Sequence, residues 1–215
     1  MRKRQLQVCR LGHFDYEAAL SLQKEIEQEV IEKRETDFLL LLEHPHTFTV
    51  GRRAKQDVLA TAERLKTLGG SVFETNRGGK VTYHGIGQIV GYPIVSLSPD
   101  REDVHKYVRD LEEVLIRTLA DFEIEAFRIK GLTGVHTKDG KVAAIGVHIK
   151  RWVTTHGFAL NVNTDLSFFD LIIACEGEPV TSMEKILGCE LDLSAVEDKI
   201  IANFAEVFGV CPQGE

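Results

Sequence analysis

The sequence predicts an α+β fold, a mixed β-sheet core flanked by helices, and three observations lead there. Short apolar runs bounded by Gly, Pro, Asn and Asp recur along the chain. Three longer segments carry an apolar stripe at helical spacing, each behind a capping residue. No repeat, low-complexity tract or linker divides the 215 residues, so all elements are assigned to a single domain, 1–215.

LQVCRLG (6–12) reads as the first strand. Asp15 then caps a helix to about residue 34, with Tyr16, Ala19, Leu20, Ile26 and Val30 as its stripe. DFLLLLE (37–43) is a buried strand, and HPHTFTVGRR (44–53) a loop entering a short strand. Residues 57–68 form a short helix closed by Gly69-Gly70, and SVFET (71–75) is a strand leading into the glycine-rich RGGKVTYHGIGQ (77–88). QIVGYPIVSL (88–97) resumes a strand, and Pro99-Asp100 introduces an amphipathic helix over 103–120. EAFRI, TGVHT, KVAAIGVHIK and WVTTHGFALNVN are strand-like, with KDGK (138–141) a hairpin signal between the second and third. Residues 165–171 form a short helix, and Ser194 caps a last helix through Phe208.

Composition narrows the function. Hydrophobic residues make up 43% and charged residues 27%, an ordinary soluble balance. The longest apolar run, near 38–42, is far short of a membrane span, so no membrane association is expected. MRKRQLQVCR is basic without an apolar stretch behind it, which excludes a secretory signal and makes a cytoplasmic protein the expectation. A net charge of −7 argues against nucleic acid as a partner. Yet residues 126–156 hold six cations, Arg128, Lys130, Lys138, Lys141, Lys150 and Arg151, against the single carboxylate of Asp139. That stretch is either a solvated face or a docking surface for an acidic partner. None of Cys9, Cys175, Cys189 and Cys211 lies in a CxxC pair, and the histidine spacings match no zinc motif, so no metal is expected.

Three segments invite chemistry. In RGGKVTYHGIGQ the GxG is followed by a strand rather than a helix, and the P-loop spacing is absent, so a phosphate cradle loses support. A glycine-rich hairpin would explain Gly78 and Gly79 but not Arg77, Tyr83, His84 and Gln88 around them. A strand without side chains opens a slot for an elongated apolar ligand. In KVAAIGVHIK, strict alternation puts Lys141, Ala143 and Ile145 on one face and Ala144, Gly146 and His148 on the other. HGFALN (156–161) repeats the small-residue device one strand later. Cys175 leaves an apolar run and enters a polar loop, a place for a nucleophile. A thiol there needs a nearby cation; His84, His156 and Lys141 are candidates that the sequence does not rank.

With these stretches side by side, the sequence resembles the octanoyltransferases of lipoate biosynthesis, also called lipoate-protein ligase B. The family's RGGxxTYHGPGQ appears as residues 77–88, its LLLEHPxxxTxGR as 40–52, and its K-[IV]-A-[AS]-[IL]-G as 141–146. Its HG-[FIL]-A-L-N appears as 156–161, and its cysteine followed by V-T-S as Cys175 with Val180, Thr181 and Ser182. The resemblance implies a catalytic domain like those of lipoate-protein ligase A and biotin protein ligase. It implies transfer of octanoyl from acyl carrier protein to a lysine of a lipoyl domain through a Cys175–Lys141 dyad, without ATP, cofactor or metal. The acceptors would be lipoyl domains of 2-oxoacid dehydrogenases and the glycine cleavage H protein, and the enzyme a monomer. The acyl chain is expected along Arg77, Gly78, Gly79, Lys80, Val81, Thr82, Tyr83 and His84. Ala144, Ile145 and Gly146 face it from one strand, and Gly157, Phe158 and Ala159 from the next. The sequence departs from the family at Ile86 (usually Pro), His136 (Trp), Ala174 (Pro) and Glu176 (Gly). Two alternatives are an amidotransferase acting between lipoyl domains and a non-catalytic acyl-binding module of the same fold.

Overall fold

The computed structural model describes residues 4–53, 70–172 and 179–213. The helix expected over 57–68, and Cys175 with Ala174 and Glu176, lie outside the described residues.

Seven strands form the main sheet: β1 (Gln5–His13), β2 (Thr36–Glu43), β6 (Gln88–Ile94), β7 (Val135–Thr137), β8 (Gly140–Lys150), β9 (Val153–Asn161) and β10 (Cys211–Gln213). Their order is β10-β1-β2-β6-β9-β8-β7, with β1 parallel to β10 and β2 and all later pairs antiparallel, so the sheet is mixed as expected. A smaller sheet, β4-β3-β5, comprises β3 (Thr47–Val50), β4 (Ser71–Glu74) and β5 (Val81–His84). β5 is the middle of the glycine-rich segment.

The helices are α1 (Tyr16–Lys33), α2 (Val104–Ala120), α3 (Met183–Leu187) and α4 (Leu193–Phe208). Asp15 caps α1 by accepting from the N–H groups of Glu17 and Ala18, and Asp103 caps α2 through Lys106. The cap of α4 is Asp192, two residues earlier than the expected Ser194, whose own N–H is what Asp192 accepts. Both residue types cap well, and the carboxylate also suits the positive end of the helix. α3, a single turn between Ser182 and Gly188, was too short to carry a readable stripe.

Alternation on the central strands separates two cores. Leu39, Leu41, Ile89, Leu160 and Val162 pack against Leu111, Leu115 and Leu119 of α2 and Val196, Ile200 and Phe204 of α4. Leu40, Leu42, Val90, Tyr92 and Ala159 meet Ala19, Ile26 and Val30 of α1 on the other face. The unbroken Leu39–Leu42 run follows from burial on both sides. EAFRI does not become a strand: only Phe127 pairs, with His136, extending the edge beyond β7 by one bridge.

Candidate active site

Lys141 owes its position to a bulge. β7 pairs Val135 with Ala143 but His136 with Lys141, leaving Val142 as the extra residue. Val142 and Ala143 therefore both enter the α2–α4 core, at 0% and 1% exposure. Lys141 is turned to the opposite face, where Ala144 and Gly146 also lie. Strict alternation had grouped Lys141 with Ala143 and Ile145; the inserted residue reverses that.

On this face, β8 and β9 set Ala144 opposite Ala159 and Gly146 opposite Gly157. They floor a cavity of about 250 Å³ that Lys141 also lines. The walls come from Tyr16 at the start of α1, from Tyr92 of β6, from residues 131–133, and from the glycine-rich segment. Of the residues expected to hold substrate, Arg77, Gly79, Lys80, Val81, Thr82, His84, Ala144, Ile145, Gly146, Gly157, Phe158 and Ala159 line this cavity.

Gly78 and Tyr83 do not line it. The Gly78 N–H donates to the Val147 carbonyl (3.0 Å), tying the segment to β8. Tyr83 is fully buried among Phe48, Val81 and Ile172, stacks on Phe168 at 4.9 Å, and bonds His46 Nδ1 through its hydroxyl (2.7 Å). Its neighbours in sequence face the cavity because β5 alternates, which the unpatterned glycine segment did not reveal. The bare positions in the floor also serve the chain itself. A Cβ on Gly146 would come 3.0 Å from the Gly78 carbonyl, and one on Gly157 would come 2.2 Å from that of Gly91. The free length of floor is therefore at the Ala144–Ala159 end, beside Lys141.

A chain of hydrogen bonds links the motifs. The Gln88 amide nitrogen donates to Asn161 Oδ1 (2.9 Å) and to the Tyr83 carbonyl (3.2 Å), which leaves its oxygen to accept from His84 Nδ1–H (2.8 Å). Asn161 Nδ2 donates to the Thr181 carbonyl (3.0 Å). Thr181 N–H donates to the Lys141 carbonyl (3.0 Å), and Lys141 N–H to the Pro179 carbonyl (2.8 Å). Four separate stretches of sequence are thus held in one frame, and residues 179–181 are fixed alongside Lys141 by a single bridge to Val180. From the sequence Gln88 stood out only as a residue that a glycine hairpin leaves unexplained, with no role assigned, and Asn161 was not singled out. Their signal was position: each ends its motif, and they pair directly across β6 and β9.

The imidazoles around the cavity are neutral. Burial pushes His84 down to about 3, reinforced by His44, Arg77 and His156 nearby. Burial likewise takes His44 and His156 down to about 4. His44 donates from Nδ1 to the Phe14 carbonyl (2.7 Å), so its Nε2 accepts the Tyr92 hydroxyl (2.8 Å). The Tyr16 hydroxyl is pushed up to about 12 by burial. Arg77 is braced by Thr49 through three hydrogen bonds and by the Gly78 carbonyl. No Asp or Glu among the described residues lines the cavity, whereas Arg53, Arg77, Lys80 and Lys141 do. Among the described residues no cluster of three or more His, Cys, Asp or Glu side chains is placed to hold a metal, and no helix is long and apolar enough to cross a membrane. Of the six cations in the basic stretch, Arg128 is engaged internally by Glu112 and Glu113, while Lys130 and Lys138 are exposed.

The profile of the lipoyl protein ligase A/B catalytic domain matches residues 15–205. The chain belongs to that family. A relative from Solibacter usitatus (strain Ellin6076), named octanoyltransferase, is 50% identical over 92% of this chain and 90% of its own length. Among solved structures, lipoate-protein ligase A bound with ATP superposes with a TM-score of 0.74, covering 100% of this chain and 89% of that one at 16% identity. Biotin protein ligase from Aquifex aeolicus gives 0.54, covering 97% and 70% at 13% identity. At those identities the likeness is one of fold, and it agrees with the mixed-sheet α+β architecture expected from the sequence.

Proposed function

We propose that this protein is an octanoyltransferase, moving an octanoyl group from acyl carrier protein to a specific lysine of a lipoyl domain through a thioester on Cys175, the first step of endogenous protein lipoylation. The observation that carries the reading is the placement of Lys141, turned by the Val142 bulge onto the same face as the Ala144–Ala159 floor. An amine at one end of a slot floored by small residues suits a linear acyl group whose carbonyl must be handled at one end. The relative named octanoyltransferase, at 50% identity, supports the same reaction.

In this mechanism the Cys175 thiolate adds to the donor carbonyl. The carbon–sulfur bond to the carrier breaks, and the carrier leaves as a thiolate that takes a proton from the Lys141 ammonium. One thioester replaces another, so no ATP is required. Lys141, as ammonium, favours the Cys175 thiolate by charge proximity. Burying about seven methylene or methyl groups at ~0.8 kcal/mol each gives an upper bound of roughly 5–6 kcal/mol for holding the chain. The amine of the acceptor lysine then attacks the acyl-enzyme. As the amide forms and the carbon–sulfur bond to Cys175 breaks, Lys141, left neutral by the first transfer, takes the amine proton, which restores the ammonium and the thiolate. Neutral His84, with Nδ1–H held by Gln88, orients the acyl group from the wall. Both partners must approach one cysteine in turn, so kinetics are ping-pong, and the exposed Lys130 and Lys138 suit acidic partners. The acceptors are the lipoyl domains of 2-oxoacid dehydrogenases and the glycine cleavage H protein.

Intact mass spectrometry after mixing with octanoyl–acyl carrier protein tests this. The expected result is a gain of one octanoyl group, absent in Cys175→Ser and discharged by an apo lipoyl domain. An adduct formed only from an octanoylated domain would indicate an amidotransferase. No adduct at any pH up to about 9, where even an unperturbed thiol is ionised, would leave only an acyl-binding module.

A further inference from the structure

Outside the cavity, α2 carries a carboxylate whose placement the mechanism above does not use. Glu112 is completely buried. Its Oε2 accepts from Arg109 Nη1 (2.7 Å) and Arg128 Nε (3.1 Å), and its Oε1 from the backbone N–H of Gly134 (3.1 Å). Arg128 is held in turn by Glu113 Oε2 (2.7 Å) and the Arg109 carbonyl (3.1 Å). A buried ion pair is weak evidence for stability, since desolvation offsets most of the attraction. The third bond, to the main chain, gives this one a geometric consequence.

Gly134 has φ +123, a conformation side chains rarely adopt. A Cβ there would lie 2.7 Å from Lys141 Cε, 3.3 Å from Lys141 Nζ and 2.6 Å from the Ala143 carbonyl. The bare Cα of Gly134 is therefore the surface against which the Lys141 side chain rests. Residues 131–133, just before it, line the cavity. The segment is anchored at its start by the reciprocal Phe127–His136 backbone pair (2.8 and 3.0 Å) and at its end by Glu112.

We propose that Glu112 is a positioning residue for Lys141, acting through the Gly134 N–H to fix the wall that confines the lysine side chain. The proposal rests on Lys141 serving in the acyl transfer. It separates two roles on α2: Leu111 and Leu115 hold the helix to the sheet, and Glu112 between them aims a segment of chain at the site.

The test compares wild type, Glu112→Gln, Gly134→Ala and Lys141→Ala in octanoyl transfer, each checked for folding by thermal melting. Glu112→Gln keeps the shape but weakens the acceptor, while Gly134→Ala leaves the arginine–glutamate set intact and pushes on Lys141 directly. Both are expected to lower kcat by roughly 100-fold, the scale of an ångström-sized misplacement, with little change in KM for the octanoyl carrier. Both should also shift the pH of half-maximal acyl-enzyme formation upward, because a displaced ammonium stabilises the thiolate less. Folded variants with wild-type kcat and pH profile would overturn the proposal. If either variant fails to fold, Arg128→Gln, nearer the surface, is expected to give a smaller shift in the same direction, and no shift there overturns it equally. Full activity in Lys141→Ala would instead bring down the functional reading itself. An inactive Lys141→Ala beside unaffected Glu112 and Gly134 variants removes only the positioning role.

Discussion

On one face of β8 and β9, Ala143, Ile145, Val147, Phe158 and Leu160 pack into the core with α2 and α4, Ile145 and Phe158 also bordering the cavity. On the other, Lys141, Ala144, Gly146, Gly157, Ala159 and Asn161 meet the glycine-rich segment and a cavity. The two faces share a backbone and are built to opposite ends. The first fills its volume with branched and aromatic side chains, as close packing requires. The second keeps all but Lys141 and Asn161 small, and holds Asn161 between Gln88 and Thr181. Damage to the helix-facing side should therefore register in stability, and damage to the cavity side in acyl handling.

The largest expected effect breaks the first face. Leu160 is fully buried, opposite Ala143 and Ile89. Leu160→Ala should cost about 3 kcal/mol, lowering the melting temperature by about 6–12 °C for a chain of this size, with turnover per folded molecule unchanged. Next comes Ala144→Leu on the second face. Its added carbons would occupy the floor beside Lys141 and exclude about three carbons of the acyl chain. At ~0.8 kcal/mol per carbon, that is ~2.4 kcal/mol, or roughly 50-fold in KM for the octanoyl carrier, while the melting temperature moves little. If Ala144→Leu melts the protein and Leu160→Ala blocks transfer, the division between the faces is wrong.

How much of this was legible in the sequence depended on whether a feature is local. Caps and stripes are local, and α1 and α2 begin where Asp15 and Asp103 place them. The motifs marked the cavity wall for the same reason, since each carries its small residues with it. The Val142 bulge was not legible, because it exists only in the pairing of β8 with β7; without that partner, period-two counting is the sole guide and it puts Lys141 on the wrong face. Tyr83 was misplaced for a related reason. Its burial follows from β5 joining β3 in a second sheet and from Phe168, more than eighty residues away, closing over the ring. The Gln88–Asn161 bridge and the Glu112–Gly134 bond likewise join residues that only the fold makes neighbours.

The smallest expected effect tests whether the second face is built around neutral imidazoles. Free histidine titrates near 6.5, whereas burial takes His44 and His156 down to about 4 and His84 to about 3. Between those values the unfolded chain binds protons that the folded chain refuses. Stability contributed by these groups is therefore complete above about pH 6.5 and is lost as pH falls toward 4. Buried Asp37 and half-buried Glu197 act in the opposite sense, because burial raises their carboxyl groups and acid favours their folded form. A difference measurement removes them. His156 sits at φ 57, a backbone conformation asparagine tolerates, so His156→Asn deletes one titrating ring without demanding a new backbone. Thermal melts at pH 7, 6 and 5 should show the variant losing less stability than wild type, by up to about 1.4 kcal/mol per pH unit below 6.5. Identical pH dependence in the two proteins would mean that His156 takes up its proton as readily in the folded chain as in the unfolded one. Below about pH 6.5 the cavity wall would then carry a cation beside Arg77, and the case for an apolar acyl chain lying against it would weaken accordingly.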